Sequence, residues 1–113
     1  MELQILEHGD TLTRVALAGR LDSAGVGQVE LKFSAATATR RKDTIVDLSG
    51  VTFLSSLGIR MLLTVARTLH RAEARMILLA PPEAVLESIR HAALDQLIPV
   101  AADRAAAQEL LGR

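Results

Sequence analysis

Apolar and polar residues alternate from the first positions of the chain. Leu3 and Ile5 stand among polar neighbours, Gly9-Asp10 marks a turn, and between Leu12 and Ala18 the residues Thr13, Val15 and Leu17 share one face. A period of two bounded by turn residues is the signature of a half-buried strand, so this stretch predicts a β-hairpin ending at Gly19. The period then changes. Val26, Val29, Phe33 and Ala36 or Thr37 recur every three to four residues, which predicts a helix from about Ala24, with Asp22-Ser23 offering its N-cap. Gly25 and Gly27 fall in its first turn, where a glycine costs about 1 kcal/mol against alanine.

Arg40-Arg41-Lys42-Asp43 reads as a solvated link. Thr44 to Leu48 is a short β-branched run, the composition of a strand buried in a parallel sheet. Ser49-Gly50 reads as its break, with Val51 to Leu54 continuing extended. A strong helix is predicted from about Leu57 to His70. Ile59, Leu62, Leu63, Ala66 and Leu69 form its apolar stripe, and Arg60, Thr64, Arg67 and Arg71 lie opposite. Met76 to Leu79 reads as another buried strand, and Pro81-Pro82 as the start of a third helix, with proline in its first turn. Leu94 to Val100 reads as a last strand or extended piece. Asp103 reads as the cap of a terminal helix carrying Ala106, Leu110 and Leu111.

Strands alternating with helices imply parallel strands joined by right-handed crossovers, and the leading hairpin makes the sheet mixed. The expected fold is α/β: a single small mixed β-sheet in one domain over residues 1–113. Ile45, Val46, Ile77 and Leu78 are expected in its central strands, with Leu62, Leu63, Ala66 and Leu69 packed on them.

Composition narrows the function classes. Of 113 residues, 50% are apolar and 23% charged, which suits one globular domain and excludes disorder. No apolar run approaches the ~18 residues of a membrane span, so no membrane insertion is expected. Glu2, Glu7 and Asp10 interrupt the apolar start, against a signal peptide, and a cytoplasmic location is expected. The absence of cysteine removes disulfides, thiolate metal sites and thiol catalysis. His8, His70 and His91 are not at metal-ligand spacing, so neither a metal nor a cofactor is expected. Thirteen basic residues against thirteen acidic ones, with two aromatics, argue against a nucleic-acid partner. No serine lies in Gly-x-Ser-x-Gly, no phosphate-binding glycine loop is present, and the pair Glu83 and Glu87 reads as a solvated helix face. The chain is read as a binding protein and not an enzyme.

One segment combines a strand end, a loop and a helix start: Asp47-Leu48-Ser49-Gly50-Val51-Thr52-Phe53-Leu54-Ser55-Ser56-Leu57-Gly58-Ile59. Loops at the carboxyl ends of parallel strands are where α/β sheets bind ligands. A serine at a helix start has two uses. It caps the helix, or it accepts a phosphate that the free N–H groups and the helix dipole favour. Two adjacent serines allow both, with Ser55 as cap and Ser56 as acceptor. On that reading Ser56 is exposed, at the N-terminal end of its helix.

These residues, together with Gly19-Arg20-Leu21-Asp22, resemble the STAS domains of bacterial anti-sigma factor antagonists. The resemblance runs through essentially the whole chain. It implies a mixed sheet with helices mostly on one face and a partner-switching mechanism. In that mechanism the unphosphorylated domain binds an anti-sigma factor that is also a serine-protein kinase, and this frees the sigma factor. Phosphorylation of a serine releases the antagonist, and a serine phosphatase resets it. The phosphoacceptor maps onto Ser56 and the aspartate after the second strand onto Asp22. The implied partner face gathers Asp22, Ser23, Ser55, Ser56, Leu57 and Arg60. Ser55 stands where the family motif has aspartate, and Leu57 where a small residue is usual. The alternative is a constitutive STAS subunit of a larger sensory or lipid-transport complex, with Ser56 only a structural helix cap.

Overall fold

A computed structural model describes residues 1–112. Strand β1 (Glu2–His8) turns at Gly9, whose N–H donates to the Leu12 carbonyl at 3.0 Å, into β2 (Leu12–Leu21). There follow α1 (Ser23–Ala36), β3 (Asp43–Leu54), α2 (Ser56–Arg71), β4 (Met76–Leu79), α3 (Glu83–His91), β5 (Val100–Ala101) and α4 (Arg104–Leu110). Single 3-10 turns lie at Ala38–Arg40 and Leu94–Gln96. The strands form one five-stranded sheet in the order β1-β2-β3-β4-β5. β1 runs antiparallel to β2, and the remaining neighbours are parallel. The α/β class and the mixed sheet are as the pattern predicts.

Strand alternation divides the core between two faces. Val15, Leu17, Val46, Leu48 and Leu78 join the buried residues of α1, α2 and α3 in the main core. Leu12, Ile45, Ile77 and Leu79 point the other way, onto Ala101 of β5 and Ala107 of α4. Ile45 and Ile77 are therefore central but do not receive α2, because neighbours along a strand face opposite sides.

The α2 stripe is also rotated from its expected position. Gly58, Met61, Leu62, Val65 and Leu69 are its buried residues, while Ile59, Leu63 and Ala66 are half-buried at the flank. Arg60, Thr64, Arg67 and Arg71 are exposed as expected. Leu62 is fully buried in the main core. Truncating it to alanine is expected to cost about 2–5 kcal/mol, the range for a buried leucine. Denaturant titration checks this, and a loss below about 1 kcal/mol would contradict the packing.

Four other expectations are corrected. Ser49-Gly50 does not break β3. Opposite Ala16–Ala18 of β2 the strand carries an extra residue between Asp47 and Gly50, and opposite Gly19–Arg20 another between Val51 and Phe53. Such bulges bend a strand without ending it. Arg40 is not a solvated linker residue: its Nε donates to Thr13 Oγ1 at 2.8 Å, and Nη2 donates to the Gly9 carbonyl. Leu94–Val100 begins with a 3-10 turn at Leu94–Gln96, and the short strand expected in it, β5, covers only Val100–Ala101. Pro82 is the N-cap of α3, one position before its first turn. Among the described residues, no helix is long and apolar enough to cross a membrane.

Candidate functional site

Because β2 and β3 are parallel, their carboxyl ends reach the same edge of the sheet, with Leu21 opposite Leu54. Both strands hand over to helices there. Asp22 caps α1, its Oδ1 accepting the Gly25 N–H at 2.9 Å. Ser55 caps α2, its Oγ accepting the Gly58 N–H at 3.2 Å. The same Oγ donates to the Leu21 carbonyl at 2.7 Å, and the Ser55 N–H donates to that carbonyl at 3.0 Å. A hydroxyl donates and accepts at once, whereas an ionised carboxylate only accepts. Serine in place of the motif aspartate thus adds a tie to β2 that an aspartate would lack.

Glycine permits this convergence. A Cβ on Gly25 would stand 2.0 Å from the Arg20 carbonyl oxygen. One on Gly58 would stand 2.8 Å from Leu21 Cγ and 2.9 Å from the Leu21 carbonyl oxygen. The first turns of both helices therefore press on the last two residues of β2.

Ser56 is the first residue of α2 and is exposed. Its hydroxyl has no protein partner among the described residues. Ser55 has taken the capping work, and Ser56 is left free beside the positive end of the helix dipole. Leu57, the next residue, is 42% exposed. Phe53, the next-to-last residue of β3, is 40% exposed, with the Arg20 guanidinium 4.3 Å over its ring. Arg20 Nε also lies 3.3 Å from Asp22 Oδ2, an exposed pair that solvent screens. The Gly25 N–H, with the Arg20 guanidinium after it, holds the Asp22 carboxyl below its usual range against a smaller opposing effect of desolvation. Asp22 is therefore ionised at neutral pH, and what its charged form adds to stability is lost as pH falls through that depressed value.

Ser23 is exposed at the start of α1, and Arg60 is exposed one turn into α2, without an ion pair among the described residues. Asp22, Ser23, Ser55, Ser56 and Leu57 thus share one edge, with Arg60 a helical turn away. Sequence reasoning left Arg20 and Phe53 out of this face, although both lie in the motif segments. Their contact depends on the β2–β3 register, which no spacing along the chain reveals. Among the described residues, no group of three or more His, Asp or Glu side chains is placed to hold a metal ion.

Comparison with known proteins agrees with this architecture. BtrV of Bordetella bronchiseptica, which carries the name of an anti-sigma factor antagonist, is 28% identical over 98 residues, 87% of this chain and 84% of its own. An anti-sigma factor antagonist from Mycobacterium paratuberculosis superposes with a TM-score of 0.83 at 23% identity, covering 99% of this chain and 96% of that one. Unphosphorylated SpoIIAA of Bacillus superposes with a TM-score of 0.77 at 22% identity, covering 99% and 98%. At such identities the structural matches establish the fold alone. The family described as "Mlab, STAS domain" matches residues 6–99. With that match over most of its length, the chain belongs to the STAS domain family.

Proposed function

We propose that this protein is an anti-sigma factor antagonist that works by partner switching. It binds an anti-sigma factor that is also a serine-protein kinase and is released when that kinase phosphorylates Ser56. A serine phosphatase restores the binding form. The observation that carries this reading is the division of labour between the two serines. Ser55 is committed to the Gly58 N–H and the Leu21 carbonyl, while Ser56 presents an exposed, unbonded hydroxyl. The similarity to BtrV supports the antagonist role, and SpoIIAA, of like fold, is known in a phosphorylated form. Asp22, Ser23, Ser55, Leu57 and Arg60 form the surrounding contact face. The chain performs no chemistry of its own on this reading, because the transfer belongs to the kinase.

A second reading has its own observation. Phe53 and Leu57 expose apolar surface on both sides of the serines. That surface suits a permanent contact, as in a constitutive STAS subunit of a larger sensory or lipid-transport complex.

Affinity capture from the source organism, followed by addition of ATP, separates the two. Switching predicts that ATP elutes a kinase-type partner and that a phosphopeptide containing Ser56 appears, with neither effect in Ser56→Ala. A partner retained after ATP, with Ser56 unmodified, would establish the constitutive subunit instead.

A further inference from the structure

The outer flank of α2 carries a second surface that the Ser56 site does not use. Helix α2 holds three arginines and no acidic residue, in a chain whose thirteen basic and thirteen acidic residues balance overall. Along its second half runs a groove of about 390 Å³, closed on the far side by the 3-10 turn after α3. Leu63, Ala66 and Leu97 supply its apolar wall, and Arg67, His70 and Arg71 its rim; Gln96 is the remaining lining residue. No carboxylate lines it. Leu97 is 64% exposed, a large apolar side chain beside free cations. Neither Arg67 nor Arg71 has an ion pair among the described residues, and Arg71 reaches only Thr68 Oγ1, at 3.4 Å.

We propose that this groove docks an acidic amphipathic helix of a partner protein. An apolar trough between two elements accepts the leucine-type side chains that a helix presents at i, i+3 and i+4 spacing. The unpaired Arg67 and Arg71 of the rim select carboxylates on the flanks of that helix and reject a basic one. Charge complementarity therefore fixes the occupant's chemistry. The position adds to this. Spacings of seven, four and three residues place Ser56, Leu63, Arg67 and His70 on one strip of α2. At about 1.5 Å per residue, the groove begins about 10 Å along the helix from Ser56. One partner can follow α2 from the serine edge into the groove, yet docking in the groove requires no phosphate and stands whether or not Ser56 is modified.

The test is an amide chemical-shift titration of the isotope-labelled protein with a designed end-capped helix of glutamate and leucine at amphipathic spacing. Saturable shifts are expected in the second half of α2 and around Leu94–Leu97. The double variant Arg67→Glu/Arg71→Glu is expected to weaken binding at least about tenfold, as rim charges set partner selection. Leu97→Ser, at an exposed position that folding does not need, is expected to weaken it similarly. A lysine–leucine helix of the same pattern is expected not to saturate. Absence of saturable shifts at these residues, or equal binding of both helices, would overturn the proposal. So would phosphatidylglycerol vesicles shifting the same amides more strongly than the acidic helix, which would assign the surface to a membrane.

Discussion

Gly25→Ala is expected to destabilise the domain strongly, the reverse of the usual sign for such a change inside a helix. Alanine normally gains about 1 kcal/mol over glycine there. At Gly25 the added Cβ would lie 2.0 Å from the Arg20 carbonyl oxygen, a backbone atom that cannot swing away. Either α1 must lift from the end of β2 or the strand must give. The expected cost lies at or beyond the upper end of the ~1–3 kcal/mol typical of overpacking. For a domain of this size each kcal/mol lowers Tm by about 4–8 °C. Gly27 provides the internal control: it is exposed in the same helix, and a Cβ there would meet nothing within 4 Å. Gly27→Ala is expected to raise Tm modestly, by the ordinary propensity gain. Thermal melts of the two variants should thus move in opposite directions. A rise in both would mean that α1 does not press on β2.

This contrast also marks how far the sequence can be read. Gly25 and Gly27 look alike along the chain, as two weak points in one helical turn. Only the approach of Arg20, fixed by tertiary packing, separates a required glycine from a replaceable one. The elements themselves were legible because their periods differ: Val15 and Leu17 keep a period of two, while Val26, Val29 and Phe33 keep a period near 3.6. The face of α2 was less so. Met61 and Val65 are apolar as well as Leu63 and Ala66, so the pattern admits two stripes, and the sheet chooses between them. Ser49-Gly50 carries turn chemistry, yet ladder bonds on both sides of a bulge hold it within β3. The placement of Ser55 and Ser56 at the start of α2 followed from local capping rules. The Arg20–Phe53 contact did not, because it joins adjacent strands across a register that bulges shift.

Ser56→Asp is expected to abolish most partner binding while leaving the fold intact, and Ser56→Ala is expected to leave both unchanged. In the free domain the new carboxylate sits at the positive end of the α2 dipole, where a negative charge is favourable by up to about 1 kcal/mol. Arg60, four residues on and so on the same side of the helix, is within reach to pair with it. Melting temperature should therefore hold or rise slightly. In the complex the same charge is desolvated against the partner without a designed cation, at a cost of about 2–5 kcal/mol. That corresponds to a loss of affinity of about 30-fold to several thousandfold. Ser55→Ala should behave in the opposite way. It removes the cap and the hydroxyl tie to Leu21, costing about 0.5–2 kcal/mol of stability, while adding no charge to the contact face. Melts and binding titrations on the three variants separate folding from switching. If Ser56→Asp lowers Tm sharply and affinity falls in proportion, the loss is one of folding. If it changes neither, Ser56 has no switching role and the constitutive subunit reading holds. Aspartate carries one charge where phosphate carries about 1.5 to 2, so protein phosphorylated at Ser56 should bind more weakly still.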